Sequence, residues 1–370
     1  MTRILYVITE LDVGGAENTL FHLATGLDRD LFEPRVAALF GDGPVAQRLR
    51  RRDIPVQSLG GRRRWPLAAL WRLRRLAAQA DIVHSFLFHA NLAARLAVLG
   101  ARPAAVVASA RVAERTRPRR RRLEVLTHRL VDAQVCVSTG VRDFFAAGGF
   151  PREKLVVVPN GVDVARFEGR DPAFKDRLRL GPDTPLVTTV GRLHEQKGGT
   201  YFLRAAASIL RSRPDCHFLV VGTGPLEEKL RAEAREFGIS RQVTFLGFYD
   251  DVPAVLKATD IFVLPSLWEG MPNAVLEAMA AAVPVIATRV EGTVDLIEHG
   301  VTGILVLPRD VPALVSAALR LLEDRERAAQ LGQAAQDRVR AQFRLEDMVR
   351  RHEELYRRLL AGAAARDARG

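Results

Sequence analysis

The segment Asp260-Ile-Phe-Val-Leu-Pro265, followed after three further residues by Glu269-Gly-Met-Pro-Asn-Ala-Val-Leu-Glu277, predicts a short buried strand, a loop and a helix. Pro272 suits the first helical turn, and strong helix formers follow it. Glu269 and Glu277 therefore lie on either side of a helix N-terminus. Because the amides and the dipole at such a terminus favour a phosphate, the segment predicts a site for a phosphate-bearing ligand such as a sugar nucleotide.

The rest of the chain repeats this alternation of strands and helices. At 370 residues the chain is too long for one typical domain, so we expect two α/β domains. The strand-like runs are short and β-branched, as in parallel sheets covered on both faces. They lie at 4–8, 106–108 and 155–158 in the first half, and at 187–190, 218–221, 243–245, 261–264, 285–287 and 304–306 in the second. The fold class predicted is α/β, with two doubly wound parallel-sheet domains.

The domain boundaries follow from composition. Residues 162–185 are polar and rich in Asp, Arg and Pro, which predicts a linker between a domain over 1–165 and one over 166–344. Residues 345–360 carry apolar side chains at helical spacing among many charges, which predicts a surface helix that packs one face. Residues 361–370 are predicted to form a frayed tail.

The sequence also bears on the cellular compartment. The N-terminus carries no pattern of a secretory signal peptide, and no apolar run is long enough to span a membrane. Cys136 and Cys216 have no partner at metal-ligand spacing, so buried free thiols are expected. A soluble protein in the reducing cytoplasm is the default expectation.

The net charge of +12 is carried mostly by arginine and is concentrated in the first half of the chain. Trp65, Pro66, Leu67 and Trp71 are interleaved with it, as expected where a helix lies on the inner, anionic face of a membrane. The alternative is a set of solvated arginine-rich faces. We expect no nucleic-acid partner, because no nucleic-acid-binding motif accompanies the charge. The arginines are Arg48, Arg50, Arg51 and Arg52; Arg62, Arg63, Arg64, Arg72, Arg74 and Arg75; and Arg115, Arg117, Arg119, Arg120, Arg121 and Arg122.

A second chemical motif is Gly191-Arg-Leu-His-Glu-Gln-Lys-Gly-Gly199, which follows the predicted strand at 187–190. Ligands of open α/β sheets gather at the carboxyl ends of strands. Arg192 and Lys197, in a glycine-rich loop before a helix, could bind a diphosphate without a metal ion. The alternative is two solvated cations. No Asp-x-Asp signature of a divalent-metal nucleotide site occurs in a comparable loop.

Three other turns contain glycine, and for the first two the sequence does not decide between ligand binding and a purely structural role. Gly14-Gly-Ala-Glu17 follows the first strand and opens a helix, which allows a ligand to approach the backbone closely or simply turns the chain. Val221-Gly-Thr-Gly-Pro225 faces the same two alternatives. Asn160-Gly-Val-Asp163 predicts a structural turn at the domain junction. None has the G-x-G-x-x-G order of a nicotinamide dinucleotide site.

Two histidines lie just beyond a predicted strand in Asp81-Ile-Val-His-Ser-Phe-Leu-Phe-His-Ala-Asn91. A lone histidine is often a satisfied structural residue, but one at a strand's carboxyl end can also bind or catalyse. His89 is therefore a candidate catalytic residue, and His84 and Asn91 are candidates for an acceptor site.

Together these motifs resemble the family 4 retaining glycosyltransferases of GT-B fold, also called glycosyl transferases group 1. The resemblance covers nearly the whole chain, and its most specific parts are the two acids with seven residues between them and the Arg/Lys loop. Two departures stand out: Phe86 occupies a position where many relatives have a histidine, and Ala282 one where glycine is common after the acidic helix. The first favours His89 as the active-site histidine, and the second implies a slightly changed turn.

The resemblance implies two Rossmann-like domains facing a central cleft, with a C-terminal helix that returns to the first domain. It implies that Arg192 and Lys197 neutralise the leaving diphosphate, that Glu269 contacts the transferred sugar and that Glu277 holds the ribose hydroxyls. Further donor-binding residues implied are Gly15, Gly191, Gly222, Gly224, Met271, Pro272, Asn273 and Ala274.

The function expected from the resemblance is transfer of a sugar from a UDP- or GDP-sugar to an acceptor hydroxyl, with retention, no cofactor and no metal. The arginine clusters suggest a lipid-linked saccharide acceptor in cell-surface polysaccharide synthesis. Two alternatives stay open: a UDP-sugar 2-epimerase of the same fold, and a basic membrane-binding or nucleic-acid-binding protein without catalysis. The epimerase would need no acceptor, and the basic binding protein would not bind a nucleotide-sugar donor.

Overall fold

The computed structural model describes residues 1–60, 67–101, 103–113, 117–171 and 173–367. Arg62, Arg63, Arg64, Trp65, Pro66 and Arg115 of the basic clusters lie outside these ranges. The chain divides into two compact units. The first unit is Met1–Gly161 together with the C-terminal helix that starts at Leu345, and the second is Val162–Arg344.

The first unit is built on a parallel sheet of seven described strands in the order β3-β2-β1-β4-β5-β6-β7. Their β-branched residues are buried on both faces, because helices cover both sides of a parallel sheet. The order reverses beside β1, so the carboxyl ends of β1 and β4 flank the point where ligands bind in such sheets. The strands are β1 Thr2–Ile8, β2 Phe32–Ala38, β3 Val56–Ser58, β4 Ile82–Phe86, β5 Ala105–Ala110, β6 Ala133–Cys136 and β7 Leu155–Val157.

Right-handed crossovers place α1 and α2 on one face of this sheet and α3 to α6 on the other. In the order of the chain, the helices are α1 Gly15–Gly26, α2 Pro44–Arg50, α3 Leu67–Ala77, α4 Phe88–Val98, α5 Pro118–Leu126 and α6 Thr139–Ala147. α4 packs against both α3 and α5.

The second unit has a parallel sheet of six described strands in the order β10-β9-β8-β11-β12-β13. Its topological reversal lies between β8 and β11, whose following loops carry the two motifs singled out above. The strands are β8 Leu186–Val190, β9 His217–Val221, β10 Val243–Gly247, β11 Ile261–Leu264, β12 Val285–Thr288 and β13 Ile304–Val306. The helices are α7 Ala173–Arg177, α8 Gly199–Leu210, α9 Glu227–Glu236, α10 Val252–Ala258, α11 Asn273–Ala280, α12 Thr293–Leu296, α13 Val311–Glu323 and α14 Arg325–Gln342.

The predicted linker over 162–185 is instead part of the second unit. A 3-10 turn over Val164–Phe167 and helix α7 occupy it, and Phe167 and Phe174 are buried. The unit boundary falls after Gly161 rather than after residue 165, because the Val162 amide donates to the Phe343 carbonyl, 3.0 Å away. The polar composition of this stretch gave no indication that Phe167 and Phe174 are buried.

The C-terminal helix, α15 Leu345–Asp367, belongs to the first unit and contacts α1. The tail over 361–370 was predicted to be frayed, but the structure is helical as far as residue 367. Ala363 is buried, and alanine-rich sequence favours continuation of the helix. None of the helices within the described residues combines the length and the apolar character that crossing a membrane requires.

Candidate active site

The loops after β8 and β11 meet through an ion pair. Lys197 ends a 3-10 turn over Glu195–Lys197, and its Nζ donates to Oε1 of Glu269 at 2.6 Å. The Glu269 side chain is 5% exposed and that of Lys197 is 24% exposed, so the carboxylate is nearly enclosed while the ammonium still reaches solvent. The structure thus places these two predicted residues in direct contact.

Glu269 receives two further hydrogen bonds that the sequence did not reveal. The hydroxyl of Ser266, which is fully buried, donates to Oε1 at 2.7 Å. Nε2 of Gln196 donates to Oε2 at 3.3 Å and to the Trp268 carbonyl at 3.0 Å. The only sequence signal for these two residues was their position. Ser266 lies two residues after the end of strand β11, and Gln196 immediately precedes Lys197.

Arg192 and Lys197 line the same open pocket in the second unit. Gly191 and His194 also line it, and its floor is apolar. Arg192 is exposed, and its guanidinium makes no hydrogen bond or ion pair within the described residues. Its donors are therefore available to an anionic ligand.

Glycines allow the loops at this sheet edge to pack backbone against backbone. A Cβ on Gly222, whose φ is 124°, would lie 2.1 Å from the Gly191 carbonyl oxygen. A Cβ on Gly224 would lie 2.3 Å from the Leu193 carbonyl oxygen. Gly292, which the sequence analysis did not select, approaches Gly270 in the same way, at 1.8 Å. Side chains at these positions would force the loops apart, so Gly222 and Gly224 have a packing role that is independent of any ligand.

Glu277 lies in α11, the helix that follows the Glu269 loop. Its side chain keeps some accessible surface, yet burial of the carboxyl raises its pKa to about 7, with Arg166 opposing the shift. We find no hydrogen bond from the described residues to this carboxylate. Burial thus disfavours the charged form of this carboxyl group.

The start of α11 lies near its predicted position, but Pro272 precedes the first helical turn instead of lying in it. Pro272 is the extended N-cap residue, and the helix begins at Asn273. Met271 is 6% exposed, and Ala274 is half-buried in the first turn. First-turn amides have no carbonyl partner inside the helix, so they can bind an anion or a capping group. Ala282, which follows this helix, adopts a left-handed φ of 54°, which explains why glycine suits the position.

In the first unit, Gly14 caps α1 and Gly15 is its first residue. Nη2 of Arg111, just beyond β5, donates to Oγ1 of Thr19 at 2.7 Å and to Oδ1 of Asn160 at 2.6 Å. Burial lowers the Arg111 pKa to about 10, and Glu17 opposes that shift. Asn160 is thus part of a buried polar network at the carboxyl edge of the sheet, consistent with the structural turn predicted there.

The structure does not place His84 or Asn91 at an acceptor site. His84 is fully buried, and its ring nitrogens lie 2.7 Å from the Tyr356 hydroxyl and 2.8 Å from that of Ser109. Asn91 is 1% exposed and donates to Oε1 of Glu124 at 2.8 Å. Both side chains are occupied by internal polar groups, which is the structural alternative that the sequence left open.

His89 differs from these two residues because its side chain is half-buried near the start of α4. The preceding residue, Leu87, has φ 73° and ψ 153°, a backbone conformation that is strained for any residue except glycine. Such strain recurs at functional sites. His89 is the one candidate histidine of the first unit that keeps access to solvent.

Two sheets with reversed strand orders, each with glycine-rich loops at its carboxyl edge, define a protein of GT-B architecture. Two family models match the chain: Glycosyltransferase Family 4 over residues 13–166 and Glycosyl transferases group 1 over residues 184–324. The two matches cover most of both units, and the chain belongs to glycosyltransferase family 4.

Similar curated proteins include two bacterial glycosyltransferases. The UDP-Gal:α-D-GlcNAc-diphosphoundecaprenol α-1,3-galactosyltransferase of Escherichia coli is 35% identical over 178 residues, 46% of each chain. The GDP-mannose-dependent α-(1-6)-phosphatidylinositol monomannoside mannosyltransferase of Mycobacterium tuberculosis is 36% identical over 231 residues, 59% of this chain and 60% of that one. This chain therefore spans about half the length of the curated relatives that it matches.

Solved structures share the fold along the whole chain. The Anabaena protein HepE, crystallised with UDP-glucose, matches with a TM-score of 0.89 at 23% identity, covering 96% of this chain and 99% of that one. The sucrose-phosphate synthase of Thermosynechococcus elongatus matches with a TM-score of 0.84 at 21% identity, covering 98% and 100%. At these identities the likeness is one of fold.

Proposed function

We propose that this protein is a retaining glycosyltransferase that moves a sugar from a UDP- or GDP-sugar to an acceptor hydroxyl. The observation that carries the proposal is the junction of the β8 and β11 loops, where Lys197 contacts Glu269 and Arg192 lines the same pocket as Lys197. Two cations and an acid at the carboxyl edge of a parallel sheet suit a diphosphate joined to a sugar.

In this mechanism the leaving diphosphate gains negative charge as the sugar becomes oxocarbenium-like. Arg192 and Lys197 stabilise that charge, and Glu269 orients the transferred sugar. Glu277 binds the ribose hydroxyls, the start of α11 binds a phosphate, and His89 acts near the acceptor hydroxyl. The acceptor oxygen bonds to the anomeric carbon on the face from which the diphosphate departs, and the acceptor proton passes to that diphosphate, so the anomeric configuration is retained. We expect turnover to persist in EDTA, because the two side-chain cations replace a metal ion.

The first experiment is a panel of nucleotide sugars scored by thermal shift and by release of the nucleoside diphosphate. UDP-galactose, UDP-glucose and GDP-mannose form the panel, since relatives are named for UDP-galactose and GDP-mannose. We expect one of them to raise the melting temperature in proportion to the logarithm of its concentration. Failure of every nucleotide sugar to stabilise the protein would contradict the proposal. An epimerised nucleotide sugar formed without acceptor would identify the 2-epimerase instead.

The second experiment replaces the cations. Lys197→Ala and Arg192→Ala are each expected to lower turnover roughly 10²- to 10³-fold, because each removes a group that stabilises charge in the transition state. Arg204→Ala, an exposed arginine on α8, is the matched control and should leave turnover unchanged. Near-normal turnover in both site variants would refute the assignment.

We further propose that the acceptor is lipid-linked and that the protein works at an anionic membrane surface. Support comes from the neighbouring helices α3, α4 and α5, which lie on one face of the first sheet. Together with Leu99, the residue that follows α4, they expose six large apolar side chains. We call this surface the α3–α5 face; its apolar members are Leu67, Trp71, Leu96, Leu99, Leu123 and Leu126.

The charges of the α3–α5 face complement an anionic surface. α3 and α5 also carry the exposed arginines Arg72, Arg74, Arg75, Arg119 and Arg122, and within 67–101, 103–113 and 117–130 the only carboxylates are those of Asp81 and Glu124. Asp81 is paired with Arg3 at 2.7 Å, and Glu124 is buried. Apolar insertion combined with basic flanks is the chemistry by which surface helices bind anionic lipid.

Cosedimentation with phosphatidylglycerol vesicles tests this part of the proposal. Wild type should bind at low salt, and Trp71→Ser combined with Leu67→Ser should weaken binding at least roughly fivefold, because apolar insertion is lost. Leu307→Ser, an equally exposed apolar position in the second unit, should bind like wild type. Absence of binding at low salt, or stronger binding to DNA than to vesicles, would contradict a membrane partner.

A further inference from the structure

The three hydrogen bonds to the Glu269 carboxylate come from groups with different freedom to move. Lys197 lies at the end of a flexible stem and is partly exposed, whereas Ser266 is fully buried. Gln196 is held through both ends, because its amide also donates to the Trp268 carbonyl and its backbone carbonyl accepts from the Leu267 amide at 2.8 Å. Two of the three donors are therefore fixed by the fold.

Ser266 is itself anchored by the next strand. The Thr288 hydroxyl, at the end of β12, donates to the Ser266 carbonyl at 2.5 Å, and the Thr293 hydroxyl donates to the Thr288 carbonyl at 2.5 Å. All three side chains are fully buried. The position of the Ser266 hydroxyl is thus set by buried backbone contacts and not by Lys197.

The ion pair creates a conflict that this arrangement resolves. A lysine that neutralises a donor's diphosphate must give up or share its bond to Glu269. A buried carboxylate that loses its cation is strongly destabilised unless other donors remain. Ser266 and Gln196 supply donors that do not depend on the lysine.

We propose that Ser266 and Gln196 are positioning residues that keep the Glu269 carboxylate in place when Lys197 turns from it to the diphosphate of a bound donor. The inference rests on the proposed function and names residues that the sequence motifs did not contain. Glu269 then presents the same geometry to the sugar before and after Lys197 moves.

The test compares buried hydroxyls of the second unit. Ser266→Ala should lower kcat for nucleoside diphosphate release roughly 10- to 100-fold, the range for losing a hydrogen bond to a charged group, with the donor KM changed less than about threefold. Ser266→Cys keeps the side-chain shape but has a weaker hydrogen-bond donor, so its kcat should lie between those of wild type and Ser266→Ala. Gln196→Leu should cost less than Ser266→Ala, since its bond to Glu269 is longer. Thr188→Val removes a buried hydroxyl bonded to Thr259 at 2.9 Å, away from the site, and should lower the melting temperature without lowering kcat.

A second measurement separates positioning of Glu269 from support of Lys197. In a Lys197→Ala background, Ser266→Ala should still lower the residual kcat by the same factor. Loss of that factor, or a Ser266→Ala enzyme that behaves like Thr188→Val, would overturn the inference. The single variants and the variants in the Lys197→Ala background are all measured with UDP-glucose, UDP-galactose and GDP-mannose as donors and with water as acceptor. If wild type releases no nucleoside diphosphate and binds none of them, the proposed function itself fails, which is a distinguishable result.

Discussion

Glu277 carries a carboxyl group whose burial makes the stability of the protein depend on pH. Burial raises the pKa of its carboxyl to about 7, so the folded protein favours the neutral form between the unfolded value of 4.5 and about 7. Stability associated with Glu277 is therefore present at acid pH and is lost as the pH rises through this window. An uncharged isostere should remove that loss.

We predict that Glu277→Gln becomes more stable than wild type as the pH is raised, by about 1 to 2 kcal/mol between pH 5 and 8 after allowance for residual solvent contact. Urea unfolding at the two pH values measures this difference. Glu298→Gln, an exposed control, should show no such change.

The same Glu277→Gln variant should lose part of its stabilisation by UDP or GDP, because a carboxylate binds two ribose hydroxyls better than an amide does. A variant with unchanged pH dependence and unchanged nucleotide binding would contradict both roles.

The histidines show why residue roles were harder to predict than elements. The sequence placed His84 and His89 just beyond the same predicted strand. The structure shows instead that His84 lies inside β4 and His89 in α4. The His84 ring contacts the hydroxyls of Ser109 and of Tyr356, which lies 272 residues away. A contact of that separation leaves no local sequence signal. Ser266 was missed for the related reason that a serine after a strand carries no chemistry until its partner is known.

At the level of elements, all six strands of the second sheet were predicted, because each contains a short apolar run between helical patterns. In the first sheet β1, β5 and β7 were predicted in the same way, whereas β2, β3 and β6 were not, because they lack a continuous β-branched run. That Arg192, Lys197 and Glu269 act on one ligand was implied by the family resemblance and not by the strand pattern. The structure places their loops after β8 and β11, which are neighbours in the second sheet. The linker was predicted wrongly because composition averages over a segment, and two buried aromatic residues were enough to fix 162–185 onto the second unit.

The loop packing at the second sheet edge yields a prediction at this scale. Gly222→Ala should lower the free energy of unfolding by about 2 to 4 kcal/mol, because its Cβ would overlap the Gly191 carbonyl and push the Arg192 loop away from β9. Donor-dependent stabilisation should fall with it. Gly41→Ala is the control, since Gly41 has a similar φ of 130° but nothing within 4 Å of the added Cβ. That variant reports the cost of backbone strain alone, so an equal loss in both would remove the packing explanation.

At the level of the whole molecule, the first unit is discontinuous in sequence and is closed by α15. Tyr356 on α15 contacts His84 on β4, and its hydroxyl lies 3.2 Å from that of Tyr6 on β1. His352, also on α15, is buried beside His84. Two buried histidines with lowered pKa values thus lie in the first unit, whereas the second unit carries Glu277, a half-buried acid with a raised pKa.

These groups give the two units opposite dependences on pH. Burial lowers the pKa of His352 to about 4 and that of His84 well below 6.5, so their contribution is present above pH 6.5 and is lost as the pH falls toward 4. The contribution of Glu277 in the second unit changes in the other direction. Glu17 in the first unit has a raised pKa and His217 in the second a lowered one, and both shifts act against the main effect.

We predict that, from pH 7.5 to pH 5, the first unit loses hydrogen-exchange protection relative to the second, after correction for intrinsic rates. His352 alone should contribute about 2 kcal/mol at pH 5, because the unfolded chain binds a proton there that the folded chain excludes. Peptides from β4 and β5 report on the first unit, and peptides from β8 and β11 on the second. His352→Gln should remove much of the acid loss in the first unit and leave the second unchanged, whereas Glu277→Gln should do the reverse. Protection that changes in parallel in both units, or a His352→Gln variant as acid-sensitive as wild type, would show that the buried histidines do not set the acid stability of this protein.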